Sequence, residues 1–259
     1  MGLPIVYIIN HAFKPLGELF AFPPKFFVID PTLDNFKSIL KATATSDIHI
    51  SRYVFNSLFV TIIVIILNIL ISTMGAFALS KFNFKGKNTM LEINNMALMF
   101  VSVAVTIPRY LIIEFLGIQN TYWAHILPGL AMPVGLFLIK QFIDQIPNAL
   151  VEAAYVDGAS DLTVYRKIII PLIKPAIATT SILAFQTVWN SVESSTMYID
   201  NESIKTLAFY MNTLANNTNV VAGQGMAAAA ALIMFIPNIV LFVILQSRVM
   251  NTMALSGIK

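Results

Sequence analysis

The residues best placed to do chemistry lie in one polar stretch between two long apolar runs. Glu152 precedes Ala153 and Ala154, then come Asp157-Gly158-Ala159, and further on Ile168-Ile169-Ile170-Pro171. The chemistry that Glu152 offers there is ion pairing. Leu150, Ala153, Ala154 and Asp157 follow one helical face, and the alanines are small enough to let that face enter a groove on another protein. Glu152 lies off that line, free to reach a cation. For an isolated Glu-Ala-Ala triplet, a solvated surface helix is the better reading, so the spacing to Gly158 and Pro171 carries the argument.

Other chemistry finds little support. His11, His49 and His125 are far apart and lack metal-ligand spacing, so no metal site is expected. Cysteine is absent, which removes disulfides, thiolate ligands and a thiol nucleophile. Gly86-Lys87 lacks the upstream glycine of a phosphate-binding loop and is followed by Asn88, so this chain is not expected to hold a nucleotide or any other cofactor. No Ser, His and Asp stand in a catalytic motif context. The expectation is a protein that is not itself an enzyme.

The composition says what positions the loop. Of 259 residues, 57% are hydrophobic and 11% charged, against about 25% charged in ordinary soluble domains, and the mean hydropathy is +0.77. Continuous apolar runs approach or exceed the roughly 20 residues that cross a bilayer, and they do not alternate as barrel strands do. An all-α integral membrane protein follows. The net charge of +3 comes from basic residues scattered singly, which fits loops on the positive side of a membrane and not a nucleic acid.

Val54 to Leu79 is the clearest span, and Lys81, Lys85 and Lys87 follow it directly. That cluster marks the cytoplasmic side, placing the proline-broken stretch Lys14 to Arg52 outside. Further spans are expected at Leu91 to Leu116, interrupted at Pro108; at Tyr122 to Phe142, kinked by Pro128 and Pro133; at Pro175 to Val192; and at Met226 to Gln246. Leu3 to Ile9 is too short to cross and lacks a signal peptide's basic start and cleavage site, so it reads as the end of a first helix cut short. Arg248 and Lys259 then fall inside. Between the fourth and fifth spans, residues 143–174 form a cytoplasmic loop. Asn148 is expected to cap one short helix, Gly158 to end it in a left-handed conformation, and Ser160 with Asp161 to cap a second that runs toward Ile170.

Glu-Ala-Ala, Gly158 and Ile-x-Ile-Pro at these spacings resemble the coupling loop of binding-protein-dependent ABC importers, with Ile170 in place of the usual Leu. Thr106-Ile107-Pro108-Arg109-Tyr110, Asn120-Thr121-Tyr122-Trp123-Ala124, Ile126-Leu127-Pro128-Gly129, Phe137-Leu138, Gln141-Phe142, Pro175-Ala176 and Trp189-Asn190 extend the likeness over nearly the whole chain. They are similar to the carbohydrate-uptake permeases related to the maltose-system second permease. Asn148-Ala149 departs from a basic-acidic pair common there.

The resemblance implies that residues 1–259 form one type I ABC importer transmembrane domain on a six-helix plan. It would lie in a bacterial or archaeal cytoplasmic membrane, as a multi-pass permease for a sugar or oligosaccharide. The implied partners are a second homologous permease, two ABC ATPase subunits that bind ATP and Mg, an extracellular solute-binding protein, the carbohydrate itself and membrane lipid, with no nucleic acid. Glu152, Ala153, Ala154, Asp157, Gly158, Ala159 and Pro171 would couple to the ATPases.

Polar residues inside spans mark a solute path or interhelical glue. Asn68 lies mid-span, and Gln186, Asn190 and Glu193 recur at spacings that share one helical face. Trp189 reads as a packing aromatic. Asn201-Glu202-Ser203 and Asn216-Asn217-Thr218 match glycosylation acceptors, a frequent chance match. The tail from Met253 to Lys259 resembles that of permeases for oligosaccharides. Two other readings stay open: a permease of the same architecture for a non-sugar solute, and a stand-alone secondary transporter, which predicts mid-membrane charges and inverted repeats.

Overall fold

A computed structural model describes residues 2–44, 48–216 and 222–256, so Asn217, Thr218 and the tail end Gly257 to Lys259 lie outside the described residues. Among the described residues every regular element is helical. The apolar α1 (Leu3–Phe13) precedes α2 (Leu16–Leu19) and α3 (Asp34–Ala44), short helices within the proline-broken stretch. The carboxylate of Glu18 accepts from the N–H groups of Ile29 and Asp30, which holds it below the usual carboxylate range.

The first continuous span, α4 (Ile50–Lys81), is apolar around its whole circumference. Ile62, Ile66 and Leu70 form an exposed stripe, while Val64, Asn68 and Ser72 are buried on the other side. The next span is broken: α5 (Lys87–Met99) and α6 (Thr106–Phe115) meet at a bend of 111°. The break falls at Phe100-Val101 and a 3-10 turn over Ser102–Val105, not at Pro108 as the sequence predicts. Pro108 lies in the first turn of α6, where its missing N–H has no intrahelical partner to lose.

Prolines do break the following span. Helices α7 (Tyr122–Leu130) and α8 (Pro133–Asp144) meet at 43°, with Pro128 held inside α7 and Pro133 opening α8. The loop carries α9 (Asn148–Val156), α10 (Asp161–Val164) and α11 (Ile170–Leu172), and then α12 (Lys174–Trp189) begins. Next come α13 (Glu193–Met197), α14 (Leu207–Asn216) and α15 (Ala222–Ser256), of which Gly223–Gln246 is long and apolar enough to cross a membrane. Counting each bent pair as one, the described residues hold up to five helices long and apolar enough to cross a membrane, beside the shorter α1.

By contact the chain forms two compact units interleaved along the sequence. The first comprises Met1–Val60, Ile118–His125 and Trp189–Val240. In it Tyr53 stacks on Tyr210 at 4.6 Å, and Asn56 donates to the carbonyls of Ser203 and Lys205 at 2.9 and 2.8 Å. His125 lies 2.8 Å from Ser194 Oγ through Nδ1 and 3.1 Å from the Ile204 carbonyl through Nε2, so a buried ring is satisfied on both nitrogens. Gly225 allows a close approach: a Cβ there would lie 2.5 Å from Asn35 Oδ1.

The second unit comprises Thr61–Gly117, Ile126–Val188 and Leu241–Lys259, and so holds the whole 143–174 loop. Its core gathers Ala76 and Phe77 of α4, Ile139 and Ile143 of α8, Ile146, and Val151, Val164, Ile169 and Ile173 of the loop with Ala176. A polar connection between spans is thus anchored by aliphatic residues that read, in sequence, as isolated hydrophobes.

Candidate functional site

Helix α9 opens after Pro147, whose extended backbone fixes the entry angle. Asn148 is its first residue and not its cap, and its side-chain Oδ1 accepts from Lys81 Nζ at 2.8 Å. The same ammonium donates to the Ile146 carbonyl at 2.7 Å. The competing lysine draws Asn148 out of the capping role that its residue type favours.

The other end follows the glycine rule. Gly158 has φ +79°, its N–H donates to Tyr155 O at 3.0 Å, and the Ala159 N–H donates to Ala154 O at 2.9 Å. Those paired bonds form a Schellman motif, which satisfies carbonyls the helix would leave open. Ser160 Oγ then accepts from the Thr163 N–H and caps the next turn.

The helical path that α10 begins continues past Pro171. A π turn over Tyr165–Ile169 leads into α11, and Pro171 is taken in as an early residue of α11. Proline has no N–H for the carbonyl four residues back. The wider turn, in which the Ile170 N–H reaches Tyr165 O, accommodates that loss.

The exposed side of α9 is not the helical line through Leu150, Ala153, Ala154 and Asp157 on which the sequence reading rests. Val151 is buried, and Ala154 is half-buried against the unit's own core. The outward side therefore comprises Ala149, Glu152, Ala153 and Val156, with Leu150 and Asp157 at its edges. Val156 is 88% exposed. Glu152 thus stands within the outward face and not off its line, because the core claims the opposite side of α9. Ala159 is half-buried, and Pro171 is exposed.

The site has supports with no local signal in the sequence. Tyr155 donates to Asp161 Oδ1 at 2.8 Å, tying α9 to α10 across Gly158. Burial, and then the Asp161 carboxylate, push the Tyr155 phenol above its ordinary range. Ser80 donates to Asp144 Oδ1 at 2.5 Å, and Lys140 pairs with Asp144 Oδ2 at 2.7 Å. Each joins α4 or α8 to the approach of the loop.

The polar residues placed along the spans part company. Asn68 is buried and donates to the Leu130 carbonyl at 3.2 Å, at the carbonyl the α7–α8 break leaves without its helical donor. Gln186 is exposed within α12. The helix ends at Trp189, so Asn190 lies just past it and Glu193 opens α13. The single face expected for Gln186, Asn190 and Glu193 therefore does not exist: the helical register stops before it reaches Glu193. Asn190 and Asn238 approach through their amides at 3.4 Å, and Glu193 accepts from the Tyr198 hydroxyl at 3.2 Å. Trp189 packs as expected, buried, with Nε1 donating to the Met234 carbonyl at 3.1 Å.

Known proteins share this architecture. The chain is 33% identical over 216 residues to a probable ABC transporter permease, YurM, of Bacillus subtilis, covering 81% of this chain and 70% of that one. It is 28% identical over 258 residues to the diacetylchitobiose uptake system permease protein DasC of Streptomyces coelicolor, covering 99% and 91%. Its fold matches a chain in the crystal structure of a bacterial ABC transporter that imports the acidic polysaccharide alginate. That match has a TM-score of 0.81 at 22% identity and covers 95% of this chain and 90% of that one. The family described as the binding-protein-dependent transport system inner membrane component matches residues 69–248. The chain belongs to that family and has the type I importer permease fold.

Proposed function

We propose that this chain is one permease of an ATP-driven importer that carries a sugar or oligosaccharide across a bacterial or archaeal cytoplasmic membrane. The observation that carries the reading is α9: a short helix with a defined stop at Gly158, rooted in its unit's core by Val151 and presenting Glu152, Ala153 and Val156 outward. An outward face of small and apolar residues around one carboxylate suits a groove on an ATPase subunit that offers a cation. Two such subunits bind ATP and Mg in this scheme, a second homologous permease completes the path, and an extracellular solute-binding protein delivers the solute. The carbohydrate assignment draws on the likeness to the diacetylchitobiose uptake system permease of Streptomyces coelicolor.

Within the scheme, ATPase closure moves Glu152, Ala153, Ala154, Asp157, Gly158 and Ala159 as a body, with Pro171 closing the loop. Gln186, Asn190 and Glu193 are the side chains assigned to the solute path, each acting singly since no common helical face joins them. Asn68 belongs to the helix packing.

The test is reconstitution of the permease pair with its ATPase and solute-binding protein in proteoliposomes containing Mg-ATP, followed by uptake of labelled oligosaccharides. Uptake that needs ATP hydrolysis, and is lost in Glu152→Ala while the complex still assembles, supports the reading. Truncating one partner of a desolvated charge pair costs on the order of 2–5 kcal/mol. Uptake that survives removal of the ATPase refutes it in favour of a secondary transporter. A solute-binding protein that takes no carbohydrate moves the assignment to another solute.

A further inference from the structure

Three polar contacts join the end of α4 to the coupling loop and its approach, all within the second unit. The Thr73 hydroxyl lies 2.7 Å from the Tyr165 hydroxyl and 2.7 Å from the Ile69 carbonyl. A carbonyl only accepts, so the single Thr73 proton goes to Ile69 and the Tyr165 hydroxyl donates to Thr73. Lys81 Nζ donates to Ile146 O and Asn148 Oδ1, the two groups that flank the entry to α9. Ser80 donates to Asp144, which Lys140 also holds. Between these contacts the Phe77 ring lies 5.7 Å from Tyr165 and 5.3 Å from Phe82.

The placement is specific. Tyr165 opens the π turn, so the distortion that accommodates Pro171 also sits at the residue that reaches α4. Thr73 is 1% exposed, so the bond forms out of water, where a hydroxyl without a partner is costly. Lys81 is the last residue of α4, and its ammonium spans the hinge between α8 and α9.

We infer that Tyr165 and Lys81 are positioning residues that clasp the Thr73–Lys81 end of α4 to the coupling loop, so that the two move as one body when the ATPases close. The inference rests on the permease reading above. It makes α4 the span that receives the displacement first, and leaves Glu152 to receive the force.

The test uses the assembled transporter in nanodiscs. This chain has no cysteine of its own, so Leu162→Cys and Met74→Cys carry spin labels at two exposed positions outside the proposed ATPase face, one on α10 of the loop and one on α4. Their separation is measured by pulsed dipolar spectroscopy, nucleotide-free and trapped with Mg-ATP and vanadate. The expected result is one distance distribution common to both states in the otherwise wild-type complex. In Tyr165→Phe/Lys81→Met a displaced second population appears on trapping, and hydrolysis stimulated by the solute-binding protein falls about two- to tenfold, the range of a net hydrogen bond.

A distance that changes with nucleotide in the wild-type complex overturns the clasp, as does a distance that stays fixed in the double variant. Should the double variant assemble poorly, Tyr165→Phe alone decides in the same way, since it keeps the ring against Phe77 and removes only the hydroxyl. A permease that captures no ATPase refutes the permease reading, whereas an active complex with independent motion refutes only the clasp.

Discussion

Lys81 Nζ donates to Asn148 Oδ1 at 2.8 Å, so the residue that ends the longest uninterrupted span among the membrane helices before the loop also holds the first residue of α9. The same ammonium donates to the Ile146 carbonyl, which belongs to a buried residue. Lys81→Met removes both bonds and keeps the aliphatic stem. Hydrogen bonds to a charged group contribute about 1.5–3 kcal/mol, so α9 should open more often. Amide exchange across Val151–Val156 in detergent is expected to quicken by about tenfold or more, with exchange in α15 unchanged.

Gly158 offers a cleaner case, because space is not at issue. A Cβ there meets no atom within 4 Å, yet φ is +79°. Gly158→Ala should therefore cost only left-handed backbone strain, about 1–2 kcal/mol. Gly158→Asn should cost less, since asparagine tolerates that region better than alanine. Thermal unfolding of the purified permease would rank them glycine, asparagine, alanine.

Tyr155 makes the site sensitive to alkaline pH. Its phenol is held above the ordinary tyrosine range, first by burial and then by the Asp161 carboxylate to which it donates. A raised acid favours the protonated folded form. Its contribution is present below the unfolded value near 10 and is lost as pH rises through the higher folded value. The absorbance titration of wild type minus that of Tyr155→Phe should have its midpoint above 10, and Asp161→Asn should bring the midpoint down.

Packing gives a further prediction at Gly225, where α15 approaches α3. Asn35 cannot readily move aside, because its Nδ2 donates to the carbonyls of Ala12 and Lys14, both at 2.9 Å. Gly225→Ala would bring a methyl to 2.5 Å from Oδ1 and 2.8 Å from Cγ. Overpacking of this kind costs about 1–3 kcal/mol. Asn35→Ala in the same chain should recover part of the loss in a melting experiment, although that change alone destabilises.

The spans were legible in sequence because continuous apolar runs and proline positions report local chain preferences. Tyr122–Leu130 and Pro133–Asp144 bend where the prolines predict, and Gly158 takes the conformation that only its lack of a Cβ makes cheap. What was not legible depends on distant partners. Nothing near Asn148 tells of Lys81, and nothing in the periodicity of α9 says that Ile143, Ile169 and Ile173 claim the Val151 side. The break at Phe100-Val101 has no proline or glycine to announce it. The shared face of Gln186, Asn190 and Glu193 is absent for a related reason: a spacing argument assumes a continuous helix, and α12 ends between Gln186 and Asn190.

The orientation of α9 can itself be tested by two changes on opposite sides. Val151 is 5% exposed and Val156 is 88% exposed, though both are valines on one helix. Val151→Ala removes methyl groups from the core of the permease and should lower its melting temperature, within the 0.5–3 kcal/mol that point changes commonly cost. Val156→Asp should leave melting of the isolated permease unchanged, because the side chain is already uncovered. It should instead weaken capture of the ATPase, since fully burying a valine is worth about 1.5–3 kcal/mol, or roughly ten- to a hundredfold in affinity. The face that the sequence predicts, running through Leu150, Ala153, Ala154 and Asp157, requires another pattern. It would make Ala154→Asp the substitution that spares folding and blocks the ATPase, whereas the packing of Ala154 against the core predicts that this change unfolds α9 first. Melting and pull-down measurements on these three variants separate the two orientations.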